Sequence, residues 1–308
     1  MSKVYVAKVN LTSQISSIYE KGGRNKVIQK IYNLLKNEST YIHKYVKRIK
    51  GKYQSCEEQY TLTVIAKNDD NYEIEGILMR EAVISYKTRD RRTGKKYTHT
   101  PTAVEEIEFL YSIKKERIAF TTKRRFKHKQ FICGMAGIIN KCMEMAKEPY
   151  AFTLSIYRTG ISVDKIKQEL KKLGSIQELS ISYQVPNPDD EDYEDMIKNP
   201  EEFINRMNDA QVDDMSHIFR SSHGVNIESK VISDNLNMVK KMHSTLDQKK
   251  AYANGYAKVI AINNRGLRYS TEEDNIFSRN MKVGIERFGF YRETINMTIG
   301  EENNAKKI

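Results

Sequence analysis

The chain has 308 residues with 52 Lys+Arg against 40 Asp+Glu, a formal net charge of +12, and 39% hydrophobic residues including 19 Tyr, 10 Phe and no Trp. That is enough apolar material for one large or two ordinary domains, and it excludes a disordered tail. No apolar run approaches the ~18 residues of a membrane span, the first residues lack the apolar stretch of a signal peptide, and Cys56, Cys133 and Cys142 form no CxxC pair, so neither a disulfide framework nor a structural zinc site is expected and a reducing cytoplasm is the expected compartment.

Lys3–Val9, with Val4, Val6, Ala7 and Val9, reads as an opening strand. Gly22-Gly23 breaks the chain, and Val27, Ile28, Ile31, Leu34 and Leu35 then fall at helical spacing behind Asn25 as N-cap. Tyr60–Lys67 alternates through Leu62, Val64 and Ala66, and Asn68-Asp69-Asp70-Asn71 turns it into Tyr72–Arg80, a hairpin. Val83–Lys87 extends that sheet into a basic loop, Thr88–Thr100, around Gly94. Val104–Ile113 and Arg117–Thr122 form a second hairpin through Lys114-Lys115-Glu116.

Phe131, Ile132, Met135, Ile138, Ile139, Cys142 and Met143 mark one face of a helix over Lys127–Lys147, ended by Pro149. Gly134 and Gly137 within it read as close-packing positions, since no GxxxxGK[ST] pattern surrounds them. Cys133 and Cys142 read as small packed hydrophobes. Tyr150–Tyr157 reads as a strand, Ser162 caps a helix through Val163, Ile166, Leu170 and Leu173 to Gly174, and Ile176–Val185 returns as a strand, in the order of a split β-α-β unit. Helical segments are expected up to Phe219, a strand over Val225–Ile232, a helix over Asp234–Leu246 and a strand over Gly255–Ile262. The turn Asn263-Asn264-Arg265-Gly266 leads to Leu267–Ser270, and Glu301–Ile308 reads as a frayed tail.

The charge is unevenly spread. Residues 1–150 hold 30 Lys+Arg against 16 Asp+Glu, a net of +14, whereas residues 151–308 hold 22 against 24. Three segments carry the excess. The segment around Tyr41–Lys52 holds Lys44, Lys47, Arg48, Lys50 and Lys52 among Tyr41, Tyr45 and Tyr53. Tyr86–Tyr97 holds Lys87, Arg89, Arg91, Arg92, Lys95 and Lys96 against Asp90 alone, and Lys123–Lys129 holds Lys123, Arg124, Arg125, Lys127 and Lys129 with no acid. Any one such run is ordinarily a solvated surface. Three in one basic half point to phosphate, with interleaved Tyr and Phe able to stack on unpaired bases. The last run enters a helix N-terminus, where free amides and the macrodipole favour a bound anion. Anionic membrane is the competitor, but no basic amphipathic helix accompanies the runs, and no membrane insertion is expected.

Catalytic motifs are sparse. Glu228-Ser-Lys230 on the expected strand, with Asp213 and Asp214 upstream, is the one nuclease-like pattern, in which carboxylates would hold Mg²⁺ and the lysine would steady the attacking water. Glu-x-Lys is common by chance in a chain with 30% charged residues. Asp213, Asp214 and His217 could share a helical face, with His223 close behind, but nothing completes a metal site. No nucleophile elbow, kinase set or dinucleotide fingerprint occurs. The acidic run Asp189–Asp195 reads as a solvated loop, with a second reading in which it competes with phosphate for the basic surface.

The succession of strand Glu106–Ser112, Lys114-Lys115-Glu116 turn, strand to Thr121, basic segment and helix, followed by Tyr150–Val185, resembles the RexA-like phage-exclusion proteins, with a later echo in Gly255–Ser270. The resemblance implies a cytoplasmic DNA-binding protein that self-associates and senses phage, with a separate effector. The expectation is therefore an α+β protein with mixed or antiparallel sheets, packed helices and two domains: a basic 1–149, a near-neutral 150–300 for self-association or partner contacts, and the tail 301–308. Its expected role is non-catalytic and cofactor-free binding of DNA, duplex before RNA, as a homodimer, through the Lys87–Lys96 and Lys123–Lys129 segments. An inhibitor that binds a host defence enzyme directly is the alternative, and a Mg²⁺-dependent nuclease the weaker one.

Overall fold

The computed structural model of the chain describes residues 2–19, 22–49, 52–83, 86–89, 92–94, 96–99, 102–159, 161–186, 202–238 and 248–299. The acidic run 189–195 and the tail 301–308 lie outside them. The fold is α+β, with helices packed on two antiparallel sheets.

The spine of the larger sheet is β1 (Ser2–Leu11), buried on both faces. Val4 and Val6 face one cluster, while Ala7, Val9 and Leu11 face the main core on the other side. One edge of β1 pairs with β8 (Arg117–Thr121), and the other pairs in succession with β14 (Ser278–Met281) and β9 (Phe152–Ile156). Beyond β8 the order runs through β7 (Thr102–Ser112), β4 (Glu73–Val83) and β3 (Lys52–Asn68) to the edge strand β2 (Ser39–Ile49). Both expected hairpins are present, with left-handed Tyr72 and Glu116 in their turns. The sheets do not divide at Pro149, because β9 and β14 both return to β1.

The sheet curls around α2 (His128–Met145), which packs on β2 at one edge and β9 at the other. Gly134 and Gly137 bring the helix down onto the sheet. A Cβ at Gly134 would enter the Tyr60 ring, and one at Gly137 the Tyr41 ring. The close-packing reading of these glycines therefore holds. Phe131 stacks on Phe120 with ring centroids 3.8 Å apart. Helix α1 (Gly23–Leu34) adds Val27, Ile28 and Ile31 to the same core. Its N-cap is Gly22 at φ 75 and not Asn25, since a 3₁₀ turn (Ile15–Tyr19) abuts Gly23 so closely that a Cβ there would meet the Ser17 carbonyl.

The smaller sheet, in the order β11 (Asp214–Arg220), β10 (Ile176–Gln184), β12 (Ala257–Asn263), β13 (Arg268–Ser270), is covered by α3 (Val163–Leu173), α5 (Lys230–Leu236) and α6 (Gln248–Asn254). The Ser162 hydroxyl accepts the Lys165 amide at 3.3 Å, the cap read from sequence. Three expectations fail here. Strand β9 and strand β10 lie in different sheets, so α3 is no split β-α-β crossover. After α4 (Glu202–Asp209) the chain is strand β11, not helix, up to Arg220. The segment read as a strand over Val225–Ile232 bends at Asn226, whose side chain accepts the Glu228 amide, and starts α5 with Ser229 as cap. Helix α5 ends at Leu236, well short of Leu246, although residues 239–247 lie outside the described set. Finally α7 (Arg287–Met297), not foreseen, packs Phe290, Tyr291 and Ile295 on the convex side of β1, β8 and β7.

Candidate nucleic-acid interface

Strand registers bring the three basic segments to one end of the large sheet. The β2–β3 ladder runs from Ser39 opposite Leu62 out to Ile49 opposite Lys52, but β4 accompanies β3 only as far as Glu58 opposite Ala82. Residues 52–57 and their partners 44–49 therefore project as a two-stranded ribbon, about 20 Å long at ~3.4 Å per residue. Beside it, the β4–β7 ladder ends with Val83 opposite Thr102, and β5 (Tyr86–Arg89) and β6 (Lys96–His99) resume in the same register with Tyr86 opposite His99. The segment expected as a loop around Gly94 is thus a second ribbon, with Gly94 at φ 68 in its turn.

Lys87 and Arg89 stand on β5, Lys96 stands on β6, and Arg92 is exposed in the turn between them. Arg91 and Lys95 lie outside the described residues, as does Lys50. On the first ribbon Lys44 is exposed and 3.8 Å from Glu57, while Lys47 and Arg48 stand on β2 and Lys52 opens β3.

The third segment is a tight turn at the base of the ribbons. The Lys123 amide donates to the Phe126 carbonyl at 3.0 Å, and Phe126 is fully buried among Tyr60, Phe131 and the Arg80 guanidinium. Lys123, Arg124, Arg125, Lys127 and Lys129 are all exposed around that plug, and Lys129 pairs with Glu273 at 3.2 Å. The reading of this run's Phe as a base-stacking group fails, because apolar burial has taken the ring into the core. On the first ribbon Tyr53 is 76% exposed, whereas Tyr41, His43 and Tyr45 form a half-buried row on the other face of β2, with His43 and Tyr45 stacked at 5.3 Å.

A buried ion pair fixes the turn. Arg80 donates to both Glu58 oxygens at 2.7 and 2.9 Å and to the Arg125 carbonyl at 3.0 Å, while Glu105 accepts the Arg125 amide at 3.3 Å. Glu58 also accepts the Tyr45 and Tyr60 hydroxyls at 2.8 and 2.7 Å. Burial alone would raise the Glu58 carboxyl, but the Arg80 guanidinium and the two hydroxyls outweigh it and hold it at about 2. The Tyr45 hydroxyl is pushed up to about 12 by burial and by the same carboxylate.

Helix α2 begins from this turn with Lys127 in the capping position and no acid in its first turn, and the Gln130 side chain accepts the Lys127 amide at 3.2 Å. His128 lies half-buried 5.9 Å from the Tyr5 ring, and burial together with Lys129, Lys127 and Arg158 lowers its pKa. Positive charge therefore accumulates where the helix dipole already favours an anion.

The nuclease-like residues are not assembled. Glu228 sits in the turn before α5, paired with Lys171 at 2.8 Å and Lys167 at 3.4 Å, and Lys230 begins that helix. Asp214 and His217 stand on β11 three residues apart, hence on opposite faces of the strand and not on one helical face. No group of three or more His, Cys, Asp or Glu placed to hold a metal ion occurs among the described residues. Cys133, Cys142 and Cys56 are half-buried free thiols, and burial pushes Cys133 up. No helix among the described residues is long and apolar enough to cross a membrane.

The registers that make the ribbons, and the Glu58–Arg80 pair that seats the turn, were not foreseen. The Leu62-to-Ser39 pairing has no local signal, though Glu58, Tyr60 and Arg80 fall on the inward parity of their strands. A search of the curated proteins finds no match. A family model does match, over residues 36–276, a span that includes all three basic segments. The chain belongs to the family described as Domain of unknown function (DUF4747).

Proposed function

We propose that this protein is a non-catalytic, sequence-tolerant nucleic-acid-binding protein that grips duplex DNA with its two basic ribbons and the turn at their base. One observation carries the reading: three basic segments, separated in sequence by 32 and 25 residues, converge at one end of one sheet. A two-stranded ribbon fits the major groove, and the Lys and Arg side chains there would neutralise phosphates and release counterions. RNA is the second ligand under this reading. Action in the cytoplasm as a homodimer, in phage–host conflict and with a separate effector, follows as part of the proposal.

The test is binding to unrelated duplex DNAs of equal length across ~50 to ~200 mM salt, with and without Mg²⁺. Affinity that falls steeply with salt, ignores sequence and leaves the DNA intact is expected. The Arg89→Ala, Arg91→Ala, Arg92→Ala triple variant should flatten the log–log slope by up to about 3, at roughly 0.9 per phosphate contact. Absence of binding at the low-salt end overturns the reading in favour of a basic face that meets an acidic protein, as an inhibitor of a defence enzyme would. Cleavage that needs Mg²⁺ and is lost in Glu228→Ala overturns its non-catalytic part.

A further inference from the structure

Strand β7 turns Ile107, Phe109 and Tyr111 toward the main core, and Tyr111 stands opposite Ile74 of β4 and Ile118 of β8. Its ring is fully buried in the main cluster, a place where phenylalanine would pack equally well. The Tyr111 hydroxyl is buried with it, yet among the described residues it has no hydrogen-bond partner. Taking a hydroxyl out of water without a new hydrogen bond is costly, and such groups are as a rule bonded to protein or to ordered water. Burial and the nearby Glu116 charge push its pKa well above the ordinary value, so it keeps its proton and can donate.

Tyr111 borders a cavity of about 20 Å³ enclosed by α1, the 3₁₀ turn, β1, β9 and the β7–β8 hairpin. The walls are apolar except at Tyr111, Arg24 and Glu116. Every lining residue is buried apart from Glu116, whose side chain is 15% exposed. Two of the polar groups are held in place. Arg24 donates through Nη2 to the Lys114 carbonyl at 2.7 Å, and Glu116, at φ 52 in the hairpin turn, takes the Lys8 ammonium on Oε2 at 2.6 Å. Glu116 Oε1 stands 3.7 Å from Arg24 Nε, beyond hydrogen-bonding reach and at a separation that an intervening water would bridge. A water needs about 10–15 Å³ of such space and about two to four polar partners, whereas cavities that stay dry are lined by hydrocarbon alone. An organic ligand is excluded by size, since pockets for these begin at about 300 Å³.

We propose that this cavity is a hydration site, holding one water that accepts a hydrogen bond from the Tyr111 hydroxyl and donates one to Glu116 Oε1, within reach of the Arg24 guanidinium. The water joins β7 to the turn that follows it and, through Arg24, to α1. It completes a polar staple whose other members are the Lys8–Glu116 pair and the bond from Arg24 to Lys114. It also accounts for a tyrosine at a position where apolar packing alone asks only for a ring. The proposal is independent of nucleic-acid binding, since none of these residues lies on the ribbons or the basic turn.

The test compares the full chain with its Tyr111→Phe variant, which keeps the ring and removes only the hydroxyl. In a high-resolution crystal structure a density peak is expected within hydrogen-bonding distance of Tyr111 Oη and Glu116 Oε1, and it should vanish or move in Tyr111→Phe. In solution, relaxation dispersion of the water oxygen should count one long-lived water fewer in the variant, a reading that needs no crystal. Unfolding supplies the sign. A hydroxyl held by water contributes to stability, so Tyr111→Phe should lower the urea midpoint, whereas removing a hydroxyl from a dry cavity should raise it. No peak in the parent chain, a direct Tyr111–Glu116 hydrogen bond in its place, an unchanged count of long-lived waters, or a midpoint that is not lowered overturns the proposal.

Discussion

Removing Arg80 is the sharpest perturbation of the interface that leaves its exposed charge in place. The guanidinium and the Glu58 carboxylate are 10% and 8% exposed, joined by two hydrogen bonds of 2.7 and 2.9 Å. Arg80→Ala would leave a buried carboxylate with only two hydroxyl donors, and breaking a buried pair in this way costs about 3–5 kcal/mol. The depressed carboxyl agrees in size. Glu58 is held at about 2 against an ordinary 4.5, and that difference corresponds to about 3 kcal/mol of stabilisation. The sign follows from a depressed folded pKa: the contribution is complete above pH 4.5 and is lost as pH falls towards 2. The penalty of Arg80→Ala should therefore be about 3 kcal/mol at pH 7 and shrink as pH falls from 4.5 towards 2. Urea unfolding followed by far-ultraviolet circular dichroism and tyrosine fluorescence would measure it in this Trp-free chain. The Glu58→Gln, Arg80→Met double variant, which removes both charges and keeps an acceptor for Tyr45 and Tyr60, should be less destabilised than Arg80→Ala. A penalty below about 1 kcal/mol at pH 7, or one that does not change with pH, would refute the assignment of Glu58 and Arg80 as the anchor of the basic turn.

Phe126→Ala should cost about 3–5 kcal/mol by emptying a core position, and should weaken DNA binding at unchanged net charge; a loss of stability with DNA affinity intact would show that the turn need not be held in place. Gly134→Ala and Gly137→Ala should each destabilise by about 1–3 kcal/mol through overpacking against Tyr60 and Tyr41, and Tyr60→Leu should partly rescue the first in denaturant melts. Ser162→Ala should cost about 1 kcal/mol by removing the α3 cap, with the salt slope of DNA binding unmoved. Glu228→Ala, at an exposed pair with Lys171, should leave the urea midpoint unchanged.

The sequence by itself determined the elements whose signals are local. Alternation in Tyr60–Lys67 and Val104–Ile113, the Asn68–Asn71 and Lys114–Glu116 turns, the 3.6-residue stripe from Phe131 to Met143 and the Ser162 cap are each written within a dozen residues, where pattern and turn chemistry act directly. It also determined that the charge excess lies before residue 150. It misread residues 210–232, where Asn226 and Ser229 side chains and the pairing of β11 with β10 decide between helix and strand, because short apolar runs carry both periods. Only the tertiary structure decided that β9 and β14 share an edge of β1, that Phe126 is a core plug, and that the ribbons leave the sheet at a common end. It alone decided that Glu73, Glu75 and Glu108 point outward to meet the arginines of α7. These depend on which strand lies beside which and on the parity of the register, and a shift of one residue exchanges the two faces of a strand without altering any local pattern.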